Sequence, residues 1–121
     1  MKAYLVLPSL ALTALALTGC VATSESDAGT SVAVSSTDDA CTLTASTAPA
    51  GAVTFRVAND GTDVTEFYLY AEDGTTVVGE LEDVGPGIAR SFTVTLDAGT
   101  YVAACKPGMT GDGIRSPFTA N

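Results

Sequence analysis

Two sulfur-bearing side chains close one short segment of the chain, Tyr101-Val-Ala-Ala-Cys105-Lys-Pro-Gly-Met109. A thiolate and a thioether four residues apart, across a tight Lys-Pro-Gly turn, make a soft ligand pair. Cys41 is a second thiol of the same chemistry. Glu66 stands at the start of an aromatic-rich segment, and its apolar neighbours Val64, Phe67 and Leu69 require a partner for its charge. Glu80, Glu82 and Asp112 are further carboxylates, hard donors for hard cations. There is no histidine among the 121 residues. That absence excludes a serine–histidine triad, a histidine-based zinc site and a copper site of the two-His-one-Cys type.

The elements that must position these residues read as strands. Val32 and Val34 alternate with small polar residues, and Thr42-Leu43-Thr44 continues the pattern after a break at Asp38-Asp39. Ala48-Pro49-Ala50-Gly51 reads as a turn. Val53, Phe55 and Val57 share one face of the clearest strand. Asn59-Asp60-Gly61 and Glu72-Asp73-Gly74 are turn signals. Residues 64–70, 76–81, 88–96, 100–105 and 114–119 supply the remaining strands, and Pro117 suits an edge. Seven or eight short strands and no convincing helix predict an all-β fold, an antiparallel Greek-key sandwich or barrel. So small a core gains much from one long-range covalent or metal tie.

The first residues read as an address. Lys2 supplies the charge, residues 3–16 are almost wholly apolar, and Leu17-Thr18-Gly19-Cys20 follows. This resembles the signal peptide and lipobox of bacterial lipoproteins, in which the cysteine is lipidated and becomes the new N-terminus. The resemblance divides the chain into a signal peptide (1–19), a lipidated Cys20 with a Ser/Thr/Asp-rich tether (20–30) and one domain (31–121). It implies export and a lipid anchor on the outer face of the cell membrane, in a periplasm or at the cell surface. Without residues 1–19 there remain four basic and 14 acidic side chains, a net charge of −10. Such a surface repels phosphate backbones, so nucleic acid is not an expected partner. The exported compartment permits a disulfide, and with Cys20 lipidated Cys41 and Cys105 are the two thiols left.

Ala50-Gly51-Ala-Val-Thr-Phe-Arg-Val-Ala-Asn59, followed by Gly99-Thr100-Tyr101 through Cys105 and then Met109, resembles the cupredoxins. The resemblance implies a cupredoxin-like sandwich with Cys105 and Met109 at two ligand positions and Glu66 in place of a histidine. The histidine-free pattern, with Cys41 early and Val77-Val78-Gly79-Glu80-Leu81-Glu82-Asp83-Val84-Gly85-Pro86-Gly87 in the middle, resembles the cupredoxin-like domain of EfeO, a periplasmic component of iron uptake. In that family an imelysin-like helical domain often follows. The sequence ends at Asn121, so that domain's functions are not expected here.

Two readings of Cys41 and Cys105 stand side by side at this point. As thiolates they join Glu66 and Met109 in a copper or iron site, with Glu80, Glu82 and Asp112 as weaker candidates. As a disulfide they close a loop of more than sixty residues and leave only hard carboxylate donors. The first gives a metal-binding lipoprotein serving metal uptake or electron transfer beside a permease or peroxidase. The second gives a non-catalytic, disulfide-stapled interaction module with a degenerate site. Neither supplies an acid–base pair in a substrate pocket, so no enzyme is expected. Lys106, Arg90 and Arg115 read as ion-pair partners within an acidic surface, with residues 111–114 as a rim beside the ligand loop.

Overall fold

The computed structural model describes residues 29–121. The signal peptide, the lipobox Cys20 and most of the tether expected from sequence lie outside the described residues. Nine strands follow in order: β1 Thr30–Ser36, β2 Cys41–Leu43, β3 Thr47–Ala48, β4 Gly51–Asn59, β5 Thr65–Ala71, β6 Val77–Val84, β7 Ala89–Leu96, β8 Gly99–Cys105 and β9 Ile114–Ala120. A single 3-10 turn, Pro107–Met109, sits between β8 and β9. The strands form two sheets, ordered β2-β1-β4-β7 and β3-β9-β8-β5-β6. β1 runs parallel to β4, and β3 parallel to β9; all other pairs are antiparallel. The architecture is the expected all-β sandwich, with mixed rather than wholly antiparallel sheets.

The period-2 pattern explains the core. Val32 and Val34 on β1, Val53, Phe55 and Val57 on β4, Phe67 and Leu69 on β5, and Ala103 and Cys105 on β8 all turn inward and are buried. Phe55 is the hub, with ring centroids of Phe67, Phe92 and Phe118 at 5.4, 5.5 and 5.3 Å. Each such aromatic pair adds about 1 kcal/mol beyond its buried area. Gly79 on β6 makes room for this cluster, since a Cβ there would stand 2.6 Å from Phe92.

The sequence reading missed β3, whose two residues precede the turn at Pro49 and pair with Thr119 and Ala120. Pro117 has its expected edge character for that reason. β3 covers only the last two residues of β9, so Pro117 has no partner on that side.

The strand directions place the loops at two poles. Residues 37–40, 60–64, 85–88 and 106–113 gather at one end of the sandwich. Gly29, the 71–76 turn and Asn121 lie at the other. The loop-rich end carries the Cys105–Met109 segment.

Candidate functional site

β8 carries Cys105 into the loop end, opposite Phe67 on β5. β1 turns back at residues 37–40 and returns as β2, which brings Cys41 opposite Ser36. The two cysteines meet across the sandwich as a disulfide, with Cα atoms 5.5 Å apart and a sequence separation of 64. Cys105 is wholly buried and Cys41 half-buried. The bond ties an edge strand of one sheet to an interior strand of the other. Beside it lies a second tie, a buried hydrogen bond of 2.8 Å between the hydroxyls of Ser36 on β1 and Thr65 on β5.

Glu66 does not join the cysteines. Thr65 and Phe67 point inward, so alternation turns Glu66 to the outer face of its sheet. Its backbone exchanges hydrogen bonds with Lys106, N–H to O in both directions. On the inner face beside Cys105, the polar group β5 presents is the Thr65 hydroxyl. Met109 does reach the loop end. Its N–H donates to Lys106 O at 3.0 Å, and Gly108 N–H donates to Val64 O at 2.8 Å, which pins the turn onto the start of β5. Gly108 and Met109 both have positive φ, 74° and 56°. The thioether stands on a fixed left-handed turn and is 43% exposed. The next loop is equally tight, because a Cβ on Gly113 would lie 2.6 Å from Cys105 O.

Of the weaker carboxylates, Glu80 and Glu82 lie away from the sulfurs on β6, while Asp112 stays in the loop that follows Met109. Glu80 is directly opposite Tyr68 on the outer face, and Glu82 accepts a 2.9 Å hydrogen bond from the Tyr68 hydroxyl. Burial pushes the Tyr68 phenol up from its ordinary range, reinforced by the Glu82 hydrogen bond and the charges of Glu66, Glu82 and Glu80. Asp112 contributes its backbone carbonyl to Arg115 Nε. Among the described residues no group of three or more Cys, Asp or Glu side chains is placed to hold a metal ion.

The cations also depart from expectation. Lys106 Nζ lies 4.3 Å from the Tyr68 ring centroid, and the Arg115 guanidinium 4.9 Å from that of Tyr70. The two rings stack at 5.5 Å with planes 7° apart. Arg115 Nη1 donates to Gly74 O and Arg90 Nη1 to Glu82 O, each at 2.8 Å. These are cation–π and carbonyl contacts rather than the expected ion pairs. The visible signal for this array was the i, i+2 spacing of Tyr68 and Tyr70, with Lys106 just past the end of the neighbouring β8 and Arg115 on β9.

Asn59 organises the rest of the loop end. Its buried amide donates to Asp63 O and Val84 O, both at 2.7 Å, and its side-chain oxygen accepts from Gly61 N–H at 2.9 Å. Its backbone joins residues 87 and 88. This one residue thereby ties the 60–64 loop to the end of β6 and to the 85–88 loop.

A two-sheet sandwich with a loop-end cysteine and methionine defines a cupredoxin-like protein. The family model of the cupredoxin-like domain matches residues 9–116, and the chain belongs to that family. Among solved structures it is similar to dithionite-reduced auracyanin from the photosynthetic bacterium Roseiflexus castenholzii. The TM-score is 0.61 at 20% identity, over 77% of this chain and 98% of that one. It is also similar to auracyanin A, a "blue" copper protein from the green thermophilic photosynthetic bacterium Chloroflexus aurantiacus. There the TM-score is 0.58 at 15% identity, over 77% and 99% of the two chains. No curated protein matches the chain. The donor set of this fold does not fit a copper ion. Cys41 and Cys105 are spent in the disulfide and the carboxylate of Glu66 faces the outer side of its sheet, so among the described residues Met109 keeps none of the partners expected for it.

Proposed function

We propose that this chain is an exported, lipid-anchored cupredoxin-like module that works by binding another protein rather than by holding a metal or catalysing a reaction. The observation that carries this reading is the Cys41–Cys105 bond, which removes the thiolate that a soft-metal centre needs. The anchor is Cys20, on the strength of Leu17-Thr18-Gly19-Cys20, and places the module on the outer face of the cell membrane. The EfeO-like pattern of the middle strands supports a place beside metal-uptake or electron-transfer components such as a permease or peroxidase. Gathering of Glu66, Glu80 and Glu82 around Tyr68 argues against an iron centre of hard ligands at the sulfurs.

A second reading is favoured by one observation. Cys41 and Cys105 have Cα atoms 5.5 Å apart, and Met109 lies on the loop that leaves Cys105. Reduction gives two thiols and a thioether at one end of the fold, a set suited to Cu(I). The discriminating experiment counts free thiols on the purified, unreduced protein and measures Cu(I) affinity by competition before and after reduction. The module reading expects no free thiol and no tight copper binding in the unreduced form. Tight binding that appears on reduction and disappears in Cys105→Ser establishes the second reading. Tight binding by the unreduced protein defeats the module reading.

A further inference from the structure

We propose that the bond between Asp112 and Gly113 is a site of spontaneous covalent modification, where the Asp112 carboxyl closes on the next backbone nitrogen and reopens as isoaspartate. The chain has three Asp-Gly bonds, Asp60-Gly61, Asp73-Gly74 and Asp112-Gly113. A glycine on the C-terminal side has no side chain to block ring closure, so sequence alone ranks the three together. The fold separates them.

In the reaction the Gly113 nitrogen attacks Asp112 Cγ. A C–N bond forms, the C–OH bond of the carboxyl breaks, and the hydroxyl leaves with the amide proton as water. The product is a cyclic imide. Water then adds across one of its two ring C–N bonds. Opening at Cγ restores aspartate. Opening at the original backbone carbonyl routes the chain through Cβ and frees that carbonyl carbon as a carboxylate. No electron is transferred, and water is the one co-reactant. The step needs a carboxyl free to turn onto the next nitrogen and an amide N–H that is not held elsewhere.

At Asp60-Gly61 both groups are held. The Asp60 carboxyl accepts from the Ser35 hydroxyl, and Gly61 N–H donates to Asn59 Oδ1 at 2.9 Å. At Asp73-Gly74 they are held again. The Asp73 carboxyl accepts from the Thr76 hydroxyl and from the N–H groups of Thr75 and Thr76, while Gly74 N–H donates to Ala71 O at 2.9 Å. Those bonds, the Thr76 hydroxyl first among them, hold the Asp73 carboxyl at about 2. It therefore stays ionised in mild acid, whereas loss of hydroxyl needs the neutral acid.

At Asp112-Gly113 neither hold is present among the described residues. The Asp112 side chain is exposed and accepts no hydrogen bond from the protein, and Gly113 N–H donates to no protein group. Glycines at positive φ, 73° and 78°, flank Asp112 on both sides. The hydrogen bond on this peptide falls on its carbonyl, which accepts from Arg115 Nε at 2.8 Å. A cation there draws charge from the amide and eases loss of the N–H proton. In isoaspartate the same carbon carries the freed carboxylate, so the guanidinium gains an ionic partner. The extra backbone methylene enters beside the disulfide, because Ile114 is the ladder partner of Cys105 and Gly113 packs against Cys105 O.

The test incubates the purified, oxidised full-length protein in mildly acidic buffer below its melting transition. Isoaspartate is counted by enzymatic methylation with a protein isoaspartyl methyltransferase and located by peptide mapping. A reduced, urea-unfolded sample runs in parallel. The proposal expects position 112 to convert at least tenfold faster than 60 or 73 in the folded protein. The three rates should converge to within about threefold in the unfolded chain. Asp112→Ser, a change at an exposed side chain, should remove most of the methyl acceptance of the folded protein and leave Tm unchanged. Conversion at 60 or 73 that matches 112 in the folded protein, or none at 112, overturns the proposal. A tenfold lead for 112 that persists after unfolding overturns it too, because local sequence rather than the fold would then set the rate.

Discussion

Loss of the Cys41–Cys105 bond should be the largest single destabilisation available in this domain. The bond closes a loop of 64 residues. In the chain-entropy description, a loop of that size restricts the unfolded chain by about 4 kcal/mol. Domains of this size hold only about 5–15 kcal/mol in total, so reduction removes a large share. At about 4–8 °C per kcal/mol, the expected fall in Tm is about 15–30 °C. Two versions of the experiment separate the cross-link from packing. Chemical reduction keeps both sulfurs in place, whereas Cys41→Ala/Cys105→Ala also empties volume at Cys105, which is wholly buried. The double variant should therefore melt below the reduced wild type. Urea unfolding of the same three samples checks the thermal result. A reduced protein that melts within a few degrees of the oxidised one would refute the view that the bond is a structural staple.

Other perturbations have equally definite outcomes. Asn59→Ala leaves the buried Val84 carbonyl and two loop contacts without a partner; a loss of about 3 kcal/mol by urea unfolding is expected. The side chain and backbone of Thr76 hold the Asp73 carboxyl at about 2, below its ordinary 3.8, so its stabilisation is complete above pH 4 and is lost as the pH falls toward 2. Tm measured across that window should fall with acid, and Asp73→Asn should flatten the slope. Because burial raises the Tyr68 phenol, with Glu82 next in effect, Tyr68 should ionise later than a free tyrosine in an ultraviolet titration, and Glu82→Gln should bring it earlier.

Strand alternation made most of the fold legible. Val53, Phe55 and Val57 are an unbroken inward row, and their spacing alone identifies β4. The missed β3 has only two residues, too few for a period to show, and exists because β9 offers a free edge at Thr119 and Ala120. The site was harder to read. The cysteines could be located, but their partnership depends on β2 folding back beside β1, a long-range event that sequence spacing does not encode. Glu66 was the clearest misplacement. A one-residue shift in a strand changes the face, and Thr65, not Glu66, lies on the side of Cys105. The expected ion pairs of Lys106 and Arg115 failed for a related reason, since the register sets both cations against tyrosine rings.

The Ser36–Thr65 hydrogen bond gives a sharper test of how the two sheets are joined at this end. Both residues are buried, each about 1% exposed, and their hydroxyls meet at 2.8 Å. Ser36 is also the ladder partner of Cys41, so the polar tie and the covalent tie stand side by side. Thr65→Val keeps the shape of the side chain but strands the Ser36 hydroxyl in an apolar interior, at a cost of about 1–3 kcal/mol. Ser36→Ala does the same to Thr65, softened by the weak 3.4 Å contact from Thr65 to Glu66 O. The double variant leaves no unpaired hydroxyl. It should lose less than the two single losses combined, with a coupling of about 1 kcal/mol or more. Run in the oxidised and the reduced protein, the cycle reports whether the two ties share one task. If they do, the coupling changes once the disulfide is open, because the hydroxyl pair then holds β1 against β5 alone. An identical coupling in both states would mean that each tie holds its own pair of strands independently.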